Sequence, residues 1–316
     1  MKAFSCLRLT ILSRAIDNIN LPAYQGSALR GAFGHALKRA VCTFKTQECT
    51  ACLLKTKCVY SYTFETPPPA DTEVLRLYPF APHPFVLNIS GNSNENRKPG
   101  SPLQFGMTLV GRAIEFLPYF AYGFIQMGQL GIGKGRGRFD VEQIVAVNDK
   151  GENAEIVFEH DHVTPPETIL SFENACQRST EYASNEITVR FNTPLRVKYR
   201  GRLHDNPDFH IMIRNLLRRV SNLLYFHCGQ HADFDFKTLI RKAETVKMIH
   251  SDIRWADQKR YSNRQKKHML MGGIVGQATY RGDLAEFLPL LVLGSWVNIG
   301  KGTSFGLGSY SLSNTD

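Results

Sequence analysis

EFLPYFAYGFIQMGQLGIGKGRGRFDV, from Glu115 to Val141, and EFLPLLVLGSWVNIGKGTSFGLGSYSL, from Glu286 to Leu312, have the same parts in the same order. Each opens on Glu-Phe-Leu-Pro, runs through an apolar stretch of helical length, reaches Ile-Gly-Lys-Gly, and ends in further glycines and β-forming residues. Self-similarity of this kind marks a duplicated unit and decides the architecture before any single element does. Upstream of each copy the pattern repeats again. Leu7–Leu12 reads as a strand and, after a turn at Asn18–Pro22, a helix-period segment runs from about Tyr24 to Ala40. Ile187–Tyr199 likewise reads as a strand, and after the Asp205–Asp208 turn Phe209–Phe226 carries Ile213, Leu216, Leu217, Val220, Leu223 and Leu224 on one helical stripe.

Strand, helix, strand pair, helix, glycine-rich turn and strand give each half a ferredoxin-like (RRM-like) βαββαβ domain. The predicted fold class is α+β, with two such domains in tandem and a small four-cysteine zinc lobe. Residues 1–150 form the first domain, with the lobe at about 41–60 and an irregular Pro/Asn/Gly-rich insertion at Thr66–Pro102; 151–184 form an acidic linker; 185–316 form the second domain.

With 316 residues and 43% hydrophobic content the chain can bury two cores. The N-terminus lacks a cleavage-site pattern, and Leu284–Val297 falls short of the roughly 20 apolar residues a membrane span needs. A soluble, cytoplasmic protein is expected. The net charge of +10 is uneven: residues 1–150 have 17 basic and 10 acidic side chains, 151–184 have 1 and 7, and 185–316 have 20 and 11. A basic surplus in both halves favours a polyanionic partner such as nucleic acid.

Cys42-x6-Cys49-x2-Cys52-x5-Cys58 places four thiols within seventeen residues. Four thiolates can close a tetrahedral structural zinc site with no open position for chemistry. The same ligand set also suits an iron–sulfur cluster, and unmetallated buried thiols are the plainer alternative.

The turns Gly131–Arg138 and Gly300–Gly308 put cations, Lys134, Arg136, Arg138 and Lys301, beside glycines whose backbone can approach a phosphate closely. Neither is a P-loop. The densest cation run, Arg254–His268, interleaves Arg254, Lys259, Arg260, Arg264, Lys266 and Lys267 with Trp255, Tyr261 and His268. Phosphate attraction beside flat rings suits unstacked RNA bases, although a solvated strand pair would look similar. No paired-carboxylate metal site is visible, which disfavours a two-metal nuclease.

The segment RYSNRQKKHMLMGGIVGQATYRGDLAEFLPLLVLGSWVNIGKGTSFGLGSYSL, Arg260–Leu312, closely resembles the C-terminal signature of the CRISPR-associated precursor-crRNA processing endoribonucleases, the Cas6 family of the RAMP superfamily. LRGAFGHALKRAVC, Leu29–Cys42, with the cysteine cluster after it, resembles the first half of one branch of that family. The resemblance implies tandem ferredoxin-like folds, repeat RNA as partner, and metal-independent cleavage in which the RNA's 2′-hydroxyl attacks the neighbouring phosphate. That reaction leaves 2′,3′-cyclic phosphate and 5′-hydroxyl ends. It also implies a histidine in the first-half helix, which here is His35; Lys38 and Arg39 lie within one turn of it, and Tyr24 is a second-line candidate for an orienting or stabilising group. Arg260, Lys267 and His268 are further orienting candidates. A packed helix residue is the alternative reading of His35. Many relatives are expected to carry histidine before the last Ile-Gly-Lys-Gly, where this chain has Asn298. The rival function is a non-catalytic RAMP subunit that holds crRNA among the subunits of an effector complex.

Overall fold

A computed structural model describes residues 1–44, 48–69, 71–75, 80–89, 96–262 and 267–315; for residues 259–262 and 267–269 only the backbone is described. The chain divides into two compact units, Ser5–Leu170 with Tyr225–Gly229, and Met1–Phe4 with Ser171–Leu224 and Gln230–Asp316.

In the first unit β1 (Ser5–Ala15) is central because its alternate residues Leu7, Leu9 and Ile11 are all buried. It pairs antiparallel with β3 (Pro102–Val110) and β4 (Phe139–Val147); β2 (Phe85–Asn88) lies beyond β3, and β5 (Asn153–Glu159) beyond β4. Without β5, the order β2-β3-β1-β4 is that of a βαββαβ unit. The crossovers are α1 (Gly26–Val41) and α2 (Leu117–Leu130). Leu29, Phe33, Ala36 and Leu37 line the buried stripe of α1, and Pro118 sits in the first turn of α2, where a missing N–H costs nothing. The two helices meet where Phe33 stacks on Phe124 at 4.6 Å and on Phe120 at 5.5 Å. Gly123 allows it, since a Cβ there would stand 2.9 Å from the Phe33 ring.

The second unit is built alike. β6 (Glu186–Leu195) pairs with β10 (Gly273–Arg281) and β11 (Tyr310–Ser313), and β7 (Lys247–Ala256) pairs with β10, giving the order β7-β10-β6-β11. β8 (Lys259–Ser262) and β9 (Lys267–Leu270) form a separate ribbon. The helices are α3 (Phe172–Ser179), α4 (Phe209–Cys228, of which Phe209–Leu224 belongs to this unit), α5 (Phe236–Thr245) and α6 (Leu288–Val297). Gly294 of α6 occupies the place that Gly123 has in α2: a Cβ there would collide with Leu216 of α4 and the Tyr310 hydroxyl. Pro289 repeats Pro118 in the first helical turn.

Two organisational expectations are corrected. The stretch 151–184 is no linker. β5 extends the first sheet, with Val157 and Phe158 buried, and α3 packs on α6 behind a Ser171–Asn174 capping box. Glu155, Glu159 and Glu173 lie on these elements, and its other acidic residues lie in exposed turns and loops beside them. Thr66–Pro102 is not wholly irregular either, because Phe85-Val86-Leu87 is a fully buried edge strand whose short apolar run was hidden among turn residues. Among the described residues, no helix is long and apolar enough to cross a membrane.

Candidate functional site

His35 stands on the exposed face of α1, four residues from exposed Arg39. Lys38, one turn on, is half-buried with its ammonium 5.4 Å from the Tyr60 ring. On the opposite side of the helix Gly34 faces Phe64, at 2.9 Å from where its Cβ would be, so the face bearing His35 is left to solvent. Tyr24 does not join this pair at the surface: it is 5% exposed, just ahead of α1, and burial pushes its hydroxyl pKa well up. Its ring is apolar payload for the core, which removes it as a solvent-facing orienting group.

Two histidines are fixed elsewhere in the first unit. An Arg30 guanidinium nitrogen lies 3.1 Å from His83 Nε2, and His83 Nδ1 lies 3.0 Å from Thr66 Oγ1. Guanidinium only donates, so Nε2 accepts, and the hydrogen-bond network assigns the ring proton to Nδ1. His227, near the end of α4, is buried: its Nε2 donates to the Pro82 carbonyl at 2.7 Å and its Nδ1 accepts from the Tyr62 hydroxyl at 3.0 Å. Both are structural.

The glycine turns show the clearest difference from expectation. In the first, Lys134 N donates to Asn20 O at 2.9 Å, and Ile132 and Gly137 exchange backbone bonds. In the second, Lys301 N donates to Arg196 O at 2.9 Å, Ile299 N to Gly308 O at 3.0 Å and Gly308 N to Pro194 O at 3.1 Å. These amides are spent within their own units. The glycines serve positive φ and close backbone approach, as at Gly133 (φ +72°) against Asn20 O and Gly300 (φ +85°) against Arg196 O. The charge each turn offers an anion lies in its side chains. Lys134 and Arg136 are exposed, whereas Arg138 pairs with Asp17 at 2.8 Å.

Lys301 is exposed, and Lys198, Arg196 and Arg218 surround it; partial burial and then these cations lower its ammonium pKa. Sequence reading missed these three. The available signal was the alternation Arg196-Val197-Lys198 and an Arg218 lying off the apolar stripe of α4. Asn298 shows why a histidine is not required there by the fold: it ends α6 at φ +57°, which asparagine tolerates, and donates from Nδ2 to Leu307 O at 3.1 Å. Arg219 Nε caps the same helix end through Val297 O at 2.8 Å.

Arg254 is exposed on β7, and Trp255, 41% exposed, donates from Nε1 to Asp257 at 3.0 Å. The backbone of the β8–β9 ribbon sets Tyr261 opposite His268 and Ser262 opposite Lys267. Arg264 and Lys266, named above as RNA contacts, lie outside the described residues, as do the side chains of Arg260, Tyr261 and Lys267.

Cys42 ends α1, Cys49 and Cys52 bracket a 3₁₀ turn closed by Cys52 N to Cys49 O at 3.3 Å, and Cys58 opens the following helical turn. Desolvation raises the Cys49 pKa, and Cys58 and Cys42 add to it, so these thiols neighbour one another. All four are half-buried, and the donor set suits a soft ion. Even so, among the described residues no three His, Cys, Asp or Glu side chains are gathered closely enough to hold a metal.

Fold and site together define a tandem βαββαβ protein with a cation-bearing glycine turn closing each half. Residues 189–310 match the family model of the CRISPR-associated endoribonuclease Cas6, and residues 4–169 match a family model described as an N-terminal domain. Residues 189–310, most of the second unit, thus carry the Cas6 family domain. It is 24% identical over 316 residues to an uncharacterized protein of Archaeoglobus fulgidus, covering 97% of this chain and 98% of that one. Its fold is similar to that of Thermus thermophilus Cas6, with a TM-score of 0.57 at 15% identity over 98% of this chain and 99% of that chain. A Cas6 product complex gives 0.59 at 15% identity, over 98% and 99%. The partial Cas6-RT-Cas1–Cas2 complex gives 0.61 at 11% identity, over 98% of this chain and 46% of that chain.

Proposed function

We propose that this protein is the endoribonuclease that cuts CRISPR repeat RNA in precursor crRNA, without a catalytic metal. The observation that carries the reading is the family match over the second unit, together with a histidine on the open face of α1. In the reaction the 2′-oxygen forms a bond to phosphorus as the bond to the 5′-oxygen breaks. A base takes the 2′-hydroxyl proton and an acid returns one to the leaving oxygen, giving 2′,3′-cyclic phosphate and 5′-hydroxyl ends. Imidazole exchanges protons near neutral pH and is suited to either step. We assign that role to His35, with Lys38 supplying positive charge one turn away. Exposed Lys134, Arg136, Arg254 and Lys301 hold the RNA backbone in this reading, joined by Arg260, Tyr261, Arg264, Lys266 and Lys267 of the ribbon region. Partners are repeat RNA and, as with the solved complex of a Cas6-containing chain with Cas1–Cas2, other CRISPR proteins.

Cys42, Cys49, Cys52 and Cys58 are the residues that would hold a structural zinc, which would supply folding energy to the lobe and no chemistry. Elemental analysis of the purified protein checks this: one zinc per chain, lost in Cys49→Ser, supports it, and no metal or iron in place of zinc overturns it.

The decisive experiment incubates the protein with end-labelled repeat RNA in EDTA. One cut with a cyclic phosphate end is expected. Tight binding without cleavage, with or without divalent metal, would identify a crRNA-holding subunit, and equal binding of unrelated RNA would identify a general RNA binder.

A further inference from the structure

The second unit gathers four cations with little acid to balance them. Arg196 and Lys198 lie two residues apart on one side of an extended segment, about 7 Å along it, with buried Val197 pointing the other way. Arg196 is tied to the glycine turn by its bridge to Gly300 and by Lys301 N to Arg196 O at 2.9 Å. Its own guanidinium donates to Gly272 O at 2.7 Å, which fixes its direction. Asn215, buried in α4, donates to Lys198 O at 3.2 Å, and Arg218 donates to Asn215 Oδ1 at 3.2 Å. Partial burial and then the charges of Lys198, Arg196 and Arg218 lower the Lys301 ammonium pKa. The acid that registers on this group is Asp257, beside Arg196, and it already accepts from Trp255.

Like charges held together by a buried amide and by backbone pairing destabilise the free protein. Such an arrangement becomes favourable only when an anion with several negative oxygens sits among the cations. The Ile299, Lys301 and Gly308 amides are spent within the unit, and the charge for recognition comes from side chains. We propose that Arg196, Lys198, Arg218 and Lys301 form one niche for consecutive phosphates of an RNA strand. This rests on the reading of the chain as an RNA-cutting enzyme.

Lys198→Gln, Arg218→Gln and Lys301→Gln are tested singly for repeat-RNA affinity across a salt series and for thermal stability without ligand. Each is expected to make the slope of log affinity against log salt shallower by about 0.7, the value for one phosphate of a single strand. Each Lys variant is also expected to raise the ligand-free Tm, because removing one ammonium relieves repulsion; a purely structural lysine would lower it. Unchanged slope and affinity in all three variants, against a wild type that binds repeat RNA, overturns the niche and leaves the enzyme reading standing. A wild type that binds no RNA overturns the enzyme reading instead. Inorganic pyrophosphate is the control probe: if it alone raises the wild-type Tm while the variants bind RNA normally, the niche serves a small phosphate and the proposal for RNA fails.

Discussion

The two glycine turns are the same device with different charges. Each lets a lysine amide donate to a carbonyl that follows the unit's first strand, Lys134 to Asn20 and Lys301 to Arg196, both at 2.9 Å. Each places a glycine with positive φ against that carbonyl. The anchoring residue then differs. Asn20 is neutral, and the first turn goes on to neutralise Arg138 with Asp17. In the second turn the anchor is Arg196, and Lys198 and Arg218 join Lys301. The two copies share the backbone solution, and the second adds a cluster of cations while the first half has His35 on its helix. On the proposed reading, chemistry falls to the first unit and phosphate binding to the second.

Separating rate from affinity tests that division most strongly. His35→Ala is expected to lower the cleavage rate by about 10²–10⁴ while leaving the repeat-RNA Kd in place. Single-turnover cleavage with a parallel binding titration reads both. A normal rate would take the chemistry away from α1.

Packing gives the next largest effect. Gly123 and Gly294 hold equivalent places, but the missing Cβ of Gly123 borders the far edge of one ring, at 2.9 Å, whereas that of Gly294 borders both Leu216 and Tyr310. Alanine gains about 1 kcal/mol in helix propensity over glycine, and overpacking costs typically 1–3 kcal/mol or more. Gly294→Ala is therefore expected to destabilise by about 2 kcal/mol and Gly123→Ala by about 1 kcal/mol, because there only the Phe33 ring edge must shift, as measured by denaturant midpoints. Equal costs would mean that the two helix crossings are packed alike.

The duplication, both central strands and all four crossover helices could be read from the sequence because hydrophobic periodicity and the repeated Glu-Phe-Leu-Pro reflect local rules. The niche could not. Arg196, Lys198, Arg218 and Lys301 are spread over a hundred residues, and only the strand order and the Asn215 bridge bring them together. Tyr24 failed as a surface candidate for the converse reason: a tyrosine ahead of a helix looks the same in sequence whether it faces solvent or core. The 151–184 stretch misled because acidic composition reports the solvated face of an element and not its absence.

Within the first turn, Lys134→Gln with Arg136→Gln removes the two exposed cations that stand beside the Arg138–Asp17 pair. A smaller loss of salt dependence is expected than from two substitutions in the second turn's niche. A loss as large would place the two turns on equal terms in holding RNA.

The smallest effect belongs to the pair that makes the first turn the quieter one. The Arg138 guanidinium, bonded to Asp17 through side chain and backbone, holds the Asp17 carboxyl below its ordinary range. A depressed folded-state pKa contributes stability that is present above the unfolded value of about 3.9 and is lost as pH falls through the folded value. Both groups are exposed, so the contribution is slight and screened by salt. Thermal melts of the wild type and Asp17→Asn at low ionic strength should differ by a small amount at neutral pH and converge once the pH has fallen below the depressed folded-state value. A difference that persists in acid would show that Asp17 holds the turn by geometry alone, through its bond to Arg138 N, and that charge compensation is not what separates the first turn from the second.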